Sequence, residues 1–293
     1  MQKNLSVHRK LTLKRRNDNM PLANWFINHV SRHLEKDRYG RNSHLCDFKE
    51  IAKAIMPCDV LLIEGTSRIS QAIRRLTLSP WTHSVLYIGR PFDIKNAELK
   101  RIIKKHFKGS PNTQLIVESI LGQGTVINPL TTLNGDHIRI CRPSTLLEKD
   151  HEKIIRYALT SLGKDYNIRQ FIDLGRFLLG SRLIPRKWRS SLFKNTKGQA
   201  TEDICSTMIA NAFASVKFPI LPRVHIDKHH KMRLIRRNPK LFTPCDFDYS
   251  PYFDIIKYPL IKITADGNYA KLPWLEDVFY NDEDIVIHSH DGS

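Results

Sequence analysis

No stretch of this 293-residue chain approaches the roughly 18–20 consecutive apolar residues that a bilayer-spanning helix requires. Its basic N-terminus is not followed by an apolar run of secretory length. The expectation is a cytoplasmic protein, or one peripheral to a membrane, with no signal peptide or transmembrane helix. Cysteine is sparse and without pattern. Cys46, Cys58, Cys141, Cys205 and Cys245 are odd in number and contain no Cys-x-x-Cys spacing, which argues against a disulfide scaffold and a zinc site and favours a reducing compartment. The 13 glycines form no phosphate-cradling loop. Repeats, coiled-coil heptads and low-complexity tracts are missing as well.

Acid is the scarcer sign of charge. Against 47 Lys+Arg stand 29 Asp+Glu, a formal net charge of +18. From Asp246 onward acids outnumber lysines, so the basic excess belongs to the part before it. Such a body favours acidic partners, such as an anionic membrane surface or an acidic substrate. Basic repeats interleaved with aromatics, and zinc-finger spacings, are both lacking, so specific nucleic-acid binding is not expected. With 41% hydrophobic residues the chain can bury one substantial core.

Apolar residues at i, i+3, i+4, i+7 from Leu22 to Leu34 predict an amphipathic helix, and a second is expected near Phe48–Ile55, stopping at Pro57. Five short Val/Ile/Leu-rich runs follow: Val60–Glu64, Ser84–Gly89, Leu115–Ser119, Thr125–Asn128 and His137–Cys141. Gly122-Gln123-Gly124 reads as a hairpin turn, making the middle of the set an antiparallel meander. Ile69–Leu76 reads as a short helix, Ala97–Phe107 as basic helix or loop, and Thr145–Leu162 as a longer helix closed by Gly163. Residues 166–193 are a basic, amphipathic excursion. Pro219–Pro239 reads as a connection rich in Pro and Arg, and Lys257–Ile263 as one late strand.

Two residues stand out chemically. Cys205 opens an apolar helix, with Thr201 and Asp203 available as caps, so its sulfur sits at the positive end of the helix dipole, which favours thiolate. His83 opens a strand, a rigid mount for a general base. Glu118, set among the apolar residues of Leu115–Ser119, needs a buried partner, and the imidazole of His83 is a natural one. Taken singly, each has a plain structural reading: an inert buried thiol, a core histidine, an edge-strand glutamate. Tyr87, Trp81 and Ser206, their chain neighbours, are candidates for substrate contact.

The runs Asp59–Gly65, Trp81–Gly89, Val117–Ser119 and Ile204–Ala210, with Thr243–Phe253, resemble the circularly permuted NlpC-type papain-like cysteine hydrolases, the YiiX/YebB-like group. The likeness spans roughly residues 57–257. It implies an α+β, circularly permuted papain-like fold: a small antiparallel sheet or barrel, the nucleophile helix packed against it, and extra N-terminal helices. It divides the chain into a basic extension (1–56), a hydrolase domain (57–257) and an acidic tail (258–293). It further implies Cys205 as nucleophile, His83 as base and Glu118 as the residue orienting it, with no metal or organic cofactor. The expected activity is hydrolysis of a peptide-like or amino-acid amide through an acyl-enzyme. An acyltransferase or lipid acyl hydrolase using the same thiol, and a non-catalytic binding module on the same scaffold, are the alternatives.

Overall fold

The structure is a computed structural model that describes residues 45–120, 123–164, 205–226, 230–264, 267–274, 278–280 and 286–288. The helix expected at 22–34, the excursion at 166–193 and the caps Thr201 and Asp203 lie outside them. In chain order the elements are α1 (Phe48–Ala54), β1 (Val60–Glu64), α2 (Arg68–Thr77), β2 (His83–Gly89), α3 (Ala97–His106), β3 (Leu115–Ile120), β4 (Gly124–Pro129), β5 (His137–Pro143), α4 (Glu148–Thr160), α5 (Cys205–Ser215), β6 (Arg223–Ile226), β7 (Met232–Ile235), α6 (Cys245–Tyr249), β8 (Phe253–Ile256), β9 (Val278–Tyr280) and β10 (Val286–His288). Asp47, Ser67 and Asn96 cap α1, α2 and α3 by accepting amide hydrogen bonds in their first turns.

Six strands form one antiparallel sheet in the order β4-β3-β2-β1-β5-β8. The protein is thus α+β with an open sheet; the barrel alternative is corrected, because β4 and β8 end the sheet and do not pair. The central strands are apolar at successive positions because both faces are covered. Val60 and Leu62 of β1, with Leu86 and Ile88 of β2, face α3, α4 and α5. Leu61 and Ile63, with Val85 and Tyr87, face α1 and the turn through Leu130 and Leu133. The far end of α5 is fixed by packed rings: Phe213 lies 5.3 Å from both Phe218 and Phe253.

Two expectations fail here. Pro219–Pro239 is not a plain connection but carries the hairpin β6–β7, because Pro219, Pro222 and Pro239 flank the strands and leave both ladders free of proline. The late strand lies at Phe253–Ile256, not Lys257–Ile263, since that is where the chain meets the free edge of β5, with Cys141 opposite Ile255. Contacts also join the N-terminal helix to the body: Ile51 and Ile55 are buried with Leu61 and Ile63, and the Asp47 amide donates to the Tyr258 carbonyl at 2.8 Å.

Candidate active site

The site lies where β2 and β3 part. Their pairing runs from Leu86/Val117 to Gly89/Leu115, whereas Ser84 and His83 pair with Leu62 and Ile63 of β1. Tyr87 and Ile116 are direct partners, so by strand alternation His83 and Glu118 share one face of the sheet, and Ser84 takes the other with Leu86. His83 Nε2 and Glu118 Oε2 meet at 2.8 Å across the opening. Glu118 is 5% exposed and His83 27%. Asn128 of β4 donates its Nδ2 to Glu118 Oε1 at 2.7 Å.

Helix α5 packs on the Ser84 face and contacts both β2 and β3. Cys205 is its first residue, buried at 6% exposure, and its thiol is electrostatically coupled to the His83 ring and to Ser84. Glu118 occupies Nε2, so the ring nitrogen left for sulfur is Nδ1. The thiol thus arrives from one face of the sheet and reaches an imidazole of the other because the strands are unpaired at this end. The Ser84 hydroxyl is buried with no hydrogen-bond partner among the described residues, and it favours the Cys205 thiolate.

Charge follows from this geometry. Burial alone would lower the His83 pKa, but the Cys205 thiolate and hydrogen bonds to Cys205 and Glu118 outweigh it and raise it to about 10. Burial alone would raise that of Cys205; the His83 cation and the Ser84 donors outweigh it and bring the thiol below its ordinary 9.0. The favoured state is a thiolate beside an imidazolium, which donates on both sides, to sulfur and to Glu118. Cys46, Cys58, Cys141 and Cys245 are all shifted upward instead, by burial in each case. A thiolate held on a helix N-terminus, with a cation that can give up its proton, can attack an electrophilic carbonyl and then protonate the leaving group.

The three neighbours proposed for substrate contact have other places. Tyr87 is buried in the α1 face, roughly 13 Å along the strand from His83, and its hydroxyl accepts from Gln114 Nε2 at 3.1 Å. Trp81 is 3% exposed, stacked 5.6 Å from His137, capped by the Arg139 guanidinium, and donates its indole N–H to Asp248. Ser206 donates its hydroxyl to the Phe242 carbonyl at 2.6 Å and so pins the first turn of α5. Ser206→Ala should cost about 1–2 kcal/mol by leaving that buried carbonyl unpaired, read as a lower midpoint of urea unfolding; an unchanged midpoint would remove the anchoring role. Asn128 and Ser84 escaped sequence reasoning. Asn128 lies directly opposite Ile116, two residues along β4 from Glu118's own partner Val126, a diagonal that only the β3–β4 register reveals.

Among the described residues, no group of three or more His, Cys, Asp or Glu side chains is placed to hold a metal ion, and no helix is long and apolar enough to cross a membrane. No family model matches the sequence, and no curated protein does. Among solved structures, the chain is similar to the metalloprotein YiiX from Escherichia coli O157:H7, at 12% identity and a TM-score of 0.43, over 69% of this chain and 97% of that one.

Proposed function

We propose that the protein is a cysteine hydrolase of amide bonds in peptide-like or amino-acid substrates, with Cys205 as nucleophile, His83 as general base and acid, and Glu118 orienting the ring. The observation that carries this reading is the His83 Nε2–Glu118 hydrogen bond together with the coupling of the Cys205 thiol to the same imidazole. Glu118 fixes the imidazole and stabilises its cation, and Asn128 holds the carboxylate in turn.

In the first half-reaction the thiolate forms a bond to the substrate carbonyl carbon, whose oxygen takes the negative charge. Backbone N–H groups at the start of α5 are suited to stabilise that oxyanion. As it collapses the C–N bond breaks, and the His83 imidazolium gives its proton to the departing amine, leaving a thioester on Cys205. In the second half, neutral His83 takes a proton from water, hydroxide adds to the thioester, and the S–C bond breaks to release the acid and restore the ion pair.

Activated acyl esters test this reading. Incubation should add one acyl group to the Cys205 peptide, seen by mass spectrometry, and the adduct should disappear in water as the free acid. Acyl transfer to an added alcohol or amine in preference to water would make the protein an acyltransferase, and no adduct on Cys205 would remove the catalytic reading.

A further inference from the structure

The hairpin β6–β7 stands apart from the large sheet. Its register sets Val224 opposite Leu234 and Ile226 opposite Met232, so these four share one face, while Arg223, His225, Arg233 and Ile235 share the other. A two-stranded ribbon is marginal in water unless one face is covered. Here the aliphatic face is open: Val224 is 54% exposed, Ile226 61%, Met232 70% and Leu234 55%. At its base Leu234 borders a cavity of about 210 Å³ whose lining includes Phe218, Leu221 and Phe242, with Lys217 and Arg236.

Charge says what kind of surface would cover it. Across residues 223–237 the sequence carries six cations, Arg223, Lys228, Lys231, Arg233, Arg236 and Arg237, against one acid, Asp227. Arg237 is engaged with Asp246, and Lys231 and Arg233 have interactions of their own, so what the hairpin offers a surface is its net excess of positive charge. A duplex or single strand of nucleic acid would meet the cations but offers no apolar complement to four adjacent aliphatic side chains. An anionic bilayer offers both, with phosphate and carboxylate at the headgroup level and hydrocarbon immediately beneath. The net charge of +18 acts in the same direction over longer range.

We propose that β6–β7 is a bilayer-docking hairpin, whose Val224, Ile226, Met232 and Leu234 face enters the boundary between headgroups and acyl chains of an anionic membrane while the flanking cations pair with lipid phosphates. This stands independently of the thiol chemistry, so the vesicle experiment uses the full chain carrying Cys205→Ala. That protein should sediment with phosphatidylcholine vesicles containing phosphatidylserine, much less with phosphatidylcholine alone, and less as salt rises. Ile226→Ser with Met232→Ser should lower the partition coefficient about tenfold or more through lost apolar burial. Arg223→Gln with Arg233→Gln should lower it by about fivefold per cation removed. All four positions belong to the open hairpin, so near-ultraviolet circular dichroism should be unchanged. Equal sedimentation of parent and Ile226/Met232 variant, failure to bind anionic vesicles, or hairpin-dependent binding of an oligonucleotide in place of vesicles would each overturn the proposal.

Discussion

Replacing His83 by alanine should slow alkylation of Cys205 by iodoacetamide at pH 7 about a hundredfold, with no comparable change at the other four cysteines. In the native site burial opposes the thiolate, and the adjacent imidazolium outweighs it, so Cys205 ionises below 9.0. Without the ring, burial is left largely unopposed and the thiol moves above its ordinary value. A thiol titrating near 9 holds roughly 1% thiolate at pH 7. The sign of the pH dependence follows. Wild-type alkylation should rise along an acid limb whose midpoint lies below 9.0, and the His83→Ala midpoint should lie above it. For turnover, a second limb falls as pH climbs through about 10, where His83 loses the proton needed by the leaving group. The two limbs belong to the coupled pair, so Glu118→Gln should move both. Cys46, Cys58, Cys141 and Cys245, shifted upward, serve as internal references. An alkylation midpoint that ignores His83 would dissolve the ion pair and the mechanism built on it.

Asp59→Ala should cost about 3–5 kcal/mol of stability, whereas Asp59→Ala with Arg142→Met should cost clearly less than the single change. Asp59 is fully buried at the start of β1 and takes a bidentate grip from Arg142 of β5, Nε at 2.9 Å and Nη2 at 2.7 Å. Arg142 Nη2 also donates to the Ala54 carbonyl at the end of α1, so one guanidinium ties three elements together. Removing the carboxylate strands a largely enclosed cation; removing both leaves a gap but no charge. Burial raises the Asp59 pKa more than Arg142 lowers it. A carboxyl raised in the folded state contributes stability below its unfolded pKa and loses that contribution as pH rises through the folded one. Ionised Asp59 is therefore a net cost at neutral pH, and it serves to hold α1, β1 and β5 in register. Urea midpoints at constant slope check both variants. A double variant as unstable as Asp59→Ala would show that the interaction is chiefly packing.

Much of the sheet was legible because its strands are short apolar runs cut by Gly, Pro, Asn and Asp; β1 falls at Val60–Glu64 as expected, and the neighbouring strands extend by only one or two residues. The pairing of His83 with Glu118 was legible too, since an acid inside an apolar strand demands a partner. Three things were not. The faces were hidden: Tyr87 alternates in phase with His83, but the helix carrying the thiol packs on the Ser84 side, and only the parting of β2 from β3 lets sulfur and ring meet. The hairpin β6–β7 was masked by its prolines and by its polar and aliphatic residues standing equally in water. The closing strand β8 was misplaced because the Lys257–Ile263 segment is as β-prone as Phe253–Ile256, and the choice is made by the free hydrogen-bonding edge of β5.

The reactive ring and the reactive sulfur are separated by 122 positions, and the helix bearing the sulfur is anchored through Ser206 to the carbonyl of Phe242, further on still. A ribosome therefore delivers base and orienting acid first, and the nucleophile with its mooring later. Until that late portion emerges, Cys205 has no cation beside it and behaves as an ordinary thiol. A chain that has not yet placed α5 on the sheet should accordingly react with electrophiles at Cys205 no faster than at an unperturbed thiol.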